Sequence, residues 1–233
     1  MEFVSVNNVN IYPFASQDDL INYIDQRKGI LVAINTEKIV NATEQTRQII
    51  NRNIGYCDGA GALLALRRKG HKNVVKIAGC DLWHRIVETF HGNKSFYLIG
   101  GKQPVIEQAV KMLRNEFEDI NLVGYRNGYL KDTFEEQQLI DDVAVKNPDV
   151  VFVAMGSPRQ ELLMERIQER CPNTIFQGLG GSIDVYAGYA ERAPKWMIDH
   201  NMEFAYRVAM QPKRIGRLMK MLPFIWNLVT GNL

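Results

Sequence analysis

Asp149-Val150-Val151-Phe152-Val153-Ala154-Met155-Gly156-Ser157-Pro158 is the stretch that decides the fold. Its first half is a short run of β-branched and aromatic residues with no polar position inside it. Such a run reads as a strand buried on both faces. Met155-Gly156-Ser157 is a turn, and Pro158 suits the first turn of a helix, here expected over 158–170. Working outward, the same unit recurs. Strands are expected over 29–34, 54–57, 95–99, 120–125 and 173–177, and helices over 37–52, 59–68, 81–91, 104–118 and 133–146.

Alternation of this kind predicts an α/β fold: a mostly parallel, Rossmann-like sheet with helices on both faces. Such sheets bind ligands beyond the carboxyl ends of their strands. The polar and glycine-rich residues fall at that end. Asn35 and Thr36 follow the first expected strand, and Asp58-Gly59 the next. Gly100-Gly101 follow 95–99, Gly156-Ser157 follow 149–154, and Gly180-Gly181 with Asp184 follow 173–177.

Composition narrows the classes. The 233 residues are 46% hydrophobic and 23% charged, with a net charge of +2, ordinary for a globular chain with a sizeable core. This excludes a disordered or disulfide-dense chain and gives no bulk charge for a general nucleic-acid binder. Cys57, Cys80 and Cys171 form no C-x-x-C pair, so neither disulfides nor a zinc site are expected. The first residues show no signal-peptide pattern and no run is long enough to span a bilayer, so a cytoplasmic protein is expected.

Charge is concentrated at the end. Residues 191–233 carry seven Lys/Arg against three Asp/Glu, and no acidic residue follows Arg207. Two parts are therefore expected: an α/β catalytic domain over 1–190 and a basic, amphipathic helical appendage over 191–233. On a helix over 211–229, Ile215, Leu218, Met219, Leu222, Ile225 and Trp226 share one side. Lys213, Arg214, Arg217 and Lys220 share the other, and Pro223 is expected to kink or restart the helix. This reads as a membrane-surface helix, each basic residue adding roughly 1 kcal/mol near an anionic leaflet. A helix packed on its own domain with a solvated basic face would give the same pattern.

Gly100-Gly101 and Gly156-Ser157, each before a helix, suit capture of a phosphorylated ligand by close backbone approach and unpaired N–H groups. An ordinary strand–helix turn, with Ser157 as N-cap, is the alternative. No P-loop is present, and Gly59-Ala60-Gly61-Ala62-Leu63-Leu64 lacks the third glycine of a dinucleotide fingerprint. No D-x-D triplet offers a metal clamp, so no metal and no cofactor are expected. Asp58 is the candidate general base, or else it caps the helix that follows.

Several strings then resemble one family. Lys76-Ile77-Ala78-Gly79-Cys80-Asp81-Leu82 resembles its R-x-x-G-x-D-L segment. Cys57-Asp58-Gly59, Leu98-Ile99-Gly100-Gly101 and Asn127-Gly128-Tyr129 also match in order. So do Met155-Gly156-Ser157-Pro158-Arg159-Gln160-Glu161, Gly180-Gly181-Ser182-Ile183-Asp184-Val185, Arg192-Ala193-Pro194 and Gln211-Pro212-x-Arg214. Together they are similar to the WecG/TagA/CpsF glycosyltransferases, nearest to the WecG members. The resemblance implies inverting, metal-independent transfer of N-acetylmannosaminuronic acid from UDP to undecaprenyl-diphosphate-linked N-acetylglucosamine, for enterobacterial common antigen.

It also implies Asp58 as base, with Asn35 and Gln160 on donor or acceptor sugar and Asp184 at uridine or ribose. Thr36, Lys76, Gly100, Gly101, Asn127, Gly156, Ser157 and Gly181 complete the expected substrate contacts, with Arg214 and Arg217 reaching a diphosphate. The implied partners are a UDP-sugar, a polyprenyl-diphosphate-linked acceptor, the inner face of the cell membrane and, as an option, further copies of the chain; nucleic acid is not among them. Two departures stand out. Ala33 replaces a family Thr, and Lys76 replaces the Arg, keeping charge but losing the bidentate fork. The alternatives are transfer of UDP-N-acetylmannosamine or another UDP-hexose, for teichoic acid or capsule, and a non-catalytic UDP-sugar-binding scaffold.

Overall fold

The structure is a computed structural model that describes residues 1–200, 203, 206, 210 and 215–230. Its centre is a sheet of six strands, all parallel: β3 (Gly29–Ile34), β4 (Ile54–Cys57), β5 (Ser95–Gly100), β6 (Asn121–Arg126), β7 (Val150–Ala154) and β8 (Ile175–Gly178). Their order across the sheet is β4-β3-β8-β7-β5-β6. The α/β fold expected from the alternating runs is therefore present, and its carboxyl ends share one rim.

Both faces are covered. Val150, Phe152 and Ala154 of β7 point into one apolar layer, and Val151 and Val153 into the other. The first layer is closed by α1 (Gln17–Gln26), α5 (Gly79–Phe90), α6 (Gln103–Glu116) and α9 (Ser182–Tyr186), with the Trp83 ring edge-on to Phe152. The second is closed by α2 (Thr36–Asn41), α3 (Glu44–Arg52), α4 (Ala60–Arg68), α7 (Thr133–Lys146) and α8 (Arg159–Arg170). Double coverage explains why the strands read as continuous apolar runs rather than as alternation.

Three details depart from the sequence reading. An N-terminal hairpin, β1 (Val4–Val6) with β2 (Val9–Ile11), turns on Asn7 and Asn8, both at positive φ. Asparagine tolerates that conformation and the primed turn it makes. From the hairpin the chain continues along β4, where Tyr12 N–H donates to Gly55 C=O at 2.7 Å and covers that sheet edge. The single helix expected over 37–52 is two. Ala42 closes α2 and Thr43 starts α3, its hydroxyl accepting from Thr46 N–H at 3.2 Å, an N-cap inside what periodicity alone reads as one helix.

The third departure is near the C-terminus, where α10 (Lys195–Asp199) and α11 (Ile215–Thr230) lie. The helix does not restart at Pro223: α11 runs through it, with buried Met221 and Leu228 on either side. The packed face is not the apolar side named above, which the alternative of a helix packed on its own domain would bury. Met221, Phe224 and Leu228 hold α11 against α2 and α4, while Ile215, Met219, Leu222 and Trp226 are exposed. Those four recur at helical spacing and make one apolar stripe facing outward. Arg214 and the Arg217 side chain lie outside the described residues. No helix among the described residues is long and apolar enough to cross a membrane.

Candidate active site

The register of β3 with β4 places Ile34 beside Cys57, so Asn35 and Asp58 follow as neighbours at the rim. Asp58 N–H donates to Ile34 C=O at 2.8 Å, which carries the pairing one residue past the strand. Gly59, one residue on, takes the N-cap position of α4. Gly59 adopts φ +133, and a side chain there would meet Asn35 Cβ at 3.3 Å. Asn35 is itself an N-cap: Oδ1 accepts from Lys38 N–H at 3.0 Å, starting α2. Thr36 packs against the first turn of α4 so closely that a Cβ at Gly61 would stand 2.1 Å from its hydroxyl.

The first turn of α5 sits over the same corner. A Cβ at Gly79 would lie 2.9 Å from the Tyr56 hydroxyl, 3.7 Å from Ala33 Cβ and 4.0 Å from Asp58 Oδ2. Gln177, fully buried on β8, donates to Gly79 C=O at 3.0 Å and so pins α5 to the sheet. Burial, reinforced by the Asp58 carboxylate, pushes the Tyr56 hydroxyl well above its ordinary pKa. The same two causes push the Cys57 thiol up to about 12. These thiol and phenol groups stay neutral beside the carboxylate.

Lys76 reaches this corner from a segment tied to the end of β4. Ile77 N–H donates to Cys57 C=O at 2.8 Å, and Lys76 Nζ donates to Ile198 C=O of α10 at 3.3 Å. An open cleft of about 480 Å³ lies here, with Leu63, Val75, Lys76, Ile77, Asp81 and Ile198 in its walls. Arg192 holds Asp81 with two hydrogen bonds, 2.6 and 2.9 Å, tying the chain before α10 to α5. Two strings far apart in sequence, Gly79-Cys80-Asp81-Leu82 and Arg192-Ala193-Pro194, thus meet.

On the other side of the rim lie Gly100 and Gly101. A Cβ on Gly100 would stand 2.3 Å from Ala154 O, and one on Gly128 would stand 3.1 Å from Gly100 Cα. These glycines let backbone pack on backbone. Gly128 N–H donates to Gly101 C=O at 2.9 Å, and at the surface the Asn127 side chain donates to Gln103 Oε1 and accepts from Tyr129 N–H. Gly156, Gly180 and Gly181, by contrast, have nothing within 4 Å of where a Cβ would be. Their loops leave backbone accessible at the ends of β7 and β8. Asp184 follows on α9, where its C=O accepts from Tyr189 and Ala190 N–H.

Gln160 was expected on a sugar, but the structure shows its amide committed to protein. It is 4% exposed; Oε1 accepts from Gly156 N–H at 3.1 Å and Gly180 N–H at 3.0 Å, and Nε2 donates to Glu161 Oε1 at 3.2 Å. Ser157 is not the N-cap of α8 either; Pro158 holds that position without a side-chain cap. Glu161 is fully buried, and Lys38 Nζ donates to its Oε1 at 2.8 Å. Burial opposes the charge, but Lys38, helped by Ser157, still holds this carboxyl below the usual carboxylate range. The sequence reading gave no role to Lys38, Glu161, Tyr56 or Gln177. The only signal was a charged or polar residue at a position whose neighbours are core-facing.

Strands lie roughly 4.8 Å apart, so the loop ends of β4 and β7 stand roughly 14 Å from each other along the rim. That span suits an elongated ligand, with Asp58 and Asn35 at one end and the open glycine loops toward the other. Among the described residues, no three of His, Cys, Asp and Glu gather in a way that could hold a metal ion. A sequence model of the glycosyl transferase WecG/TagA/CpsF family matches residues 4–233. The chain belongs to that family. As a WecG/TagA/CpsF glycosyltransferase it works on a sugar donor and an acceptor, and the rim is where its loops converge.

Proposed function

We infer that this glycosyltransferase moves a hexosyl group from a UDP-sugar to a sugar linked to polyprenyl diphosphate, with inversion and without a metal. In this reading the Asp58 carboxylate takes the proton of the acceptor hydroxyl. That oxygen bonds to the anomeric carbon as the bond to the UDP oxygen breaks on the opposite face. Positioning supplies much of the rate, and Lys76 with the accessible backbone at Gly181 offsets charge gathering on the diphosphate. Gly156 and Gly181 would meet the donor phosphates, with Asp184 at ribose or base. Asn35 and Thr36 would meet sugar beside Asp58, and Arg214 and Arg217 would serve the lipid diphosphate.

The observation that carries this reading is the placement of Asp58. It stands past the end of β4, beside Asn35 and the first turn of α5. N-acetylmannosaminuronic acid is the donor sugar the family likeness favours, with N-acetylglucosamine on undecaprenyl diphosphate as acceptor in enterobacterial common antigen assembly. Ala33 and Lys76, which replace a hydroxyl and a bidentate donor, favour a second reading in which another UDP-hexose is used for a different surface polymer. A cytoplasmic protein held peripherally at the inner membrane face fits the outward apolar stripe of α11 and its exposed Lys220.

A panel of UDP-sugars with a soluble lipid-diphosphate–GlcNAc analogue, assayed for UDP release and disaccharide, tests the reaction. Asp58→Asn should lower turnover by about 10²–10⁴-fold with the fold intact. Near-normal turnover would remove Asp58 from the role, and UDP binding with no product from any donor would leave a scaffold. Anionic vesicles should retain the protein at low salt; no retention removes the membrane part.

A further inference from the structure

Beneath the rim, one line of contacts joins three of its loops. Asn35 Oδ1 holds Lys38 N–H after β3, and Lys38 Nζ donates to Glu161 Oε1. The same oxygen accepts from Gln160 Nε2, and Gln160 Oε1 accepts from Gly156 N–H after β7 and Gly180 N–H after β8. The charged pair lies at the middle of this line. The Glu161 side chain is 0% exposed and that of Lys38 13%.

A buried ion pair is a poor source of stability, because desolvation offsets the attraction and apolar residues of similar volume often serve as well. Glu161 adds to that cost, since its Oε2 has no hydrogen bond among the described residues. What the pair supplies is direction. An ionised carboxylate only accepts, so Gln160 must turn Nε2 toward Glu161 and present Oε1 to the two loop N–H groups. A flipped amide would face both N–H groups with a donor. Lys38 keeps Glu161 ionised and ties it to the helix that Asn35 caps.

We propose that the Lys38–Glu161 pair is a positioning device for sugar transfer, fixing the Gln160 amide and through it the spacing of the Gly156 and Gly180 loops against the corner that carries Asn35 and Asp58. This rests on the reading that those loops hold the donor. Lys38, Glu161 and Gln160 are positioning residues and touch no reacting atom.

The test separates positioning from folding. Lys38→Met and Glu161→Leu alone each leave a buried charge unpaired, and each should lower the melting temperature. Combined, they remove both charges, and the melting temperature should return close to the wild-type value. Turnover in the double variant should still fall by about 10²-fold, the scale of a small misplacement, with a smaller change in donor KM. The Gly156 and Gly180 amides should exchange with solvent at least tenfold faster, read by hydrogen exchange without any substrate. Lys38→Arg, which keeps the charge, should restore both readouts. A double variant with wild-type turnover and wild-type protection at these amides would overturn the proposal. If the double variant does not fold, Glu161→Gln carries the test, because a neutral amide can face Gln160 in either sense; unchanged protection and turnover there would overturn it equally. If the wild type transfers no sugar while the double variant loses amide protection, the transferase reading fails and the tie between pair and loops stands.

Discussion

Gly100 and Gly181 sit on the same rim, each after a parallel strand and before a helix, yet they do opposite things. At Gly100 the missing side chain is replaced by protein: Ala154 O occupies the place, 2.3 Å from where a Cβ would be. At Gly181 nothing lies within 4 Å. The closed half of the rim, β5 and β6 with Gly101 and Gly128, is a joint between strands and turns. The open half, the ends of β7 and β8, leaves backbone for something else to approach. A glycine-rich turn signals close approach, but by itself it does not say whether protein or ligand comes close.

The largest expected effect separates the two halves. Gly100→Ala puts a methyl group into the Ala154 carbonyl at φ +140, and should cost about 4 kcal/mol or more, enough to leave little folded protein. A thermal melt close to wild type would break the distinction. The next effect concerns what holds the open half. Glu161 has its carboxyl pKa lowered in the folded state, so the stability it lends is complete above the ordinary Glu value and is lost as pH falls through the lowered one. Urea midpoints should therefore drop on acidification below about pH 4.5, and drop less steeply in Glu161→Gln. Equal slopes would show that this carboxylate does not hold the open half together. The smallest effect on stability is expected at Gly181, whose φ of −100 suits any residue. Gly181→Ala should stay within about 0.5 kcal/mol of wild type while raising the donor KM. An unchanged KM would mean that the open loop is not where the donor lies.

Much of the scaffold was legible because local signals and burial agreed. α7 matches its expected span of 133–146 at both ends, since Asp132 caps its start and Asn147, in the left-handed region, ends it. β7 was legible because a strand covered on both faces has no polar position. The α2–α3 break was not, because Ile39, Ile49 and Ile50 keep a helical period across Thr43, and the cap there competes with that period rather than replacing it. At the rim, Asn35 and Asp58 could be placed from strand ends alone. Gln160 could not, because only the approach of β8 and its loop shows that its amide is already occupied. Sequence also left open which face of α11 meets α2 and α4, because apolar residues lie on both sides of that helix.

The sequence by itself determined a doubly covered parallel sheet, the rim to which its loops deliver Asp58, Asn35 and the glycines, and the family. These follow from hydrophobic period, caps and turn residues, which act over a few neighbours in the chain. Only the tertiary structure decided which glycines are filled and which are open, that Lys38 finds Glu161 across 123 positions, and which face of α11 remains outward. Those outcomes depend on where separate segments come to rest against one another, and the free energy of a buried charge or an occupied cavity is set by that neighbour, not by the residue's own place in the chain.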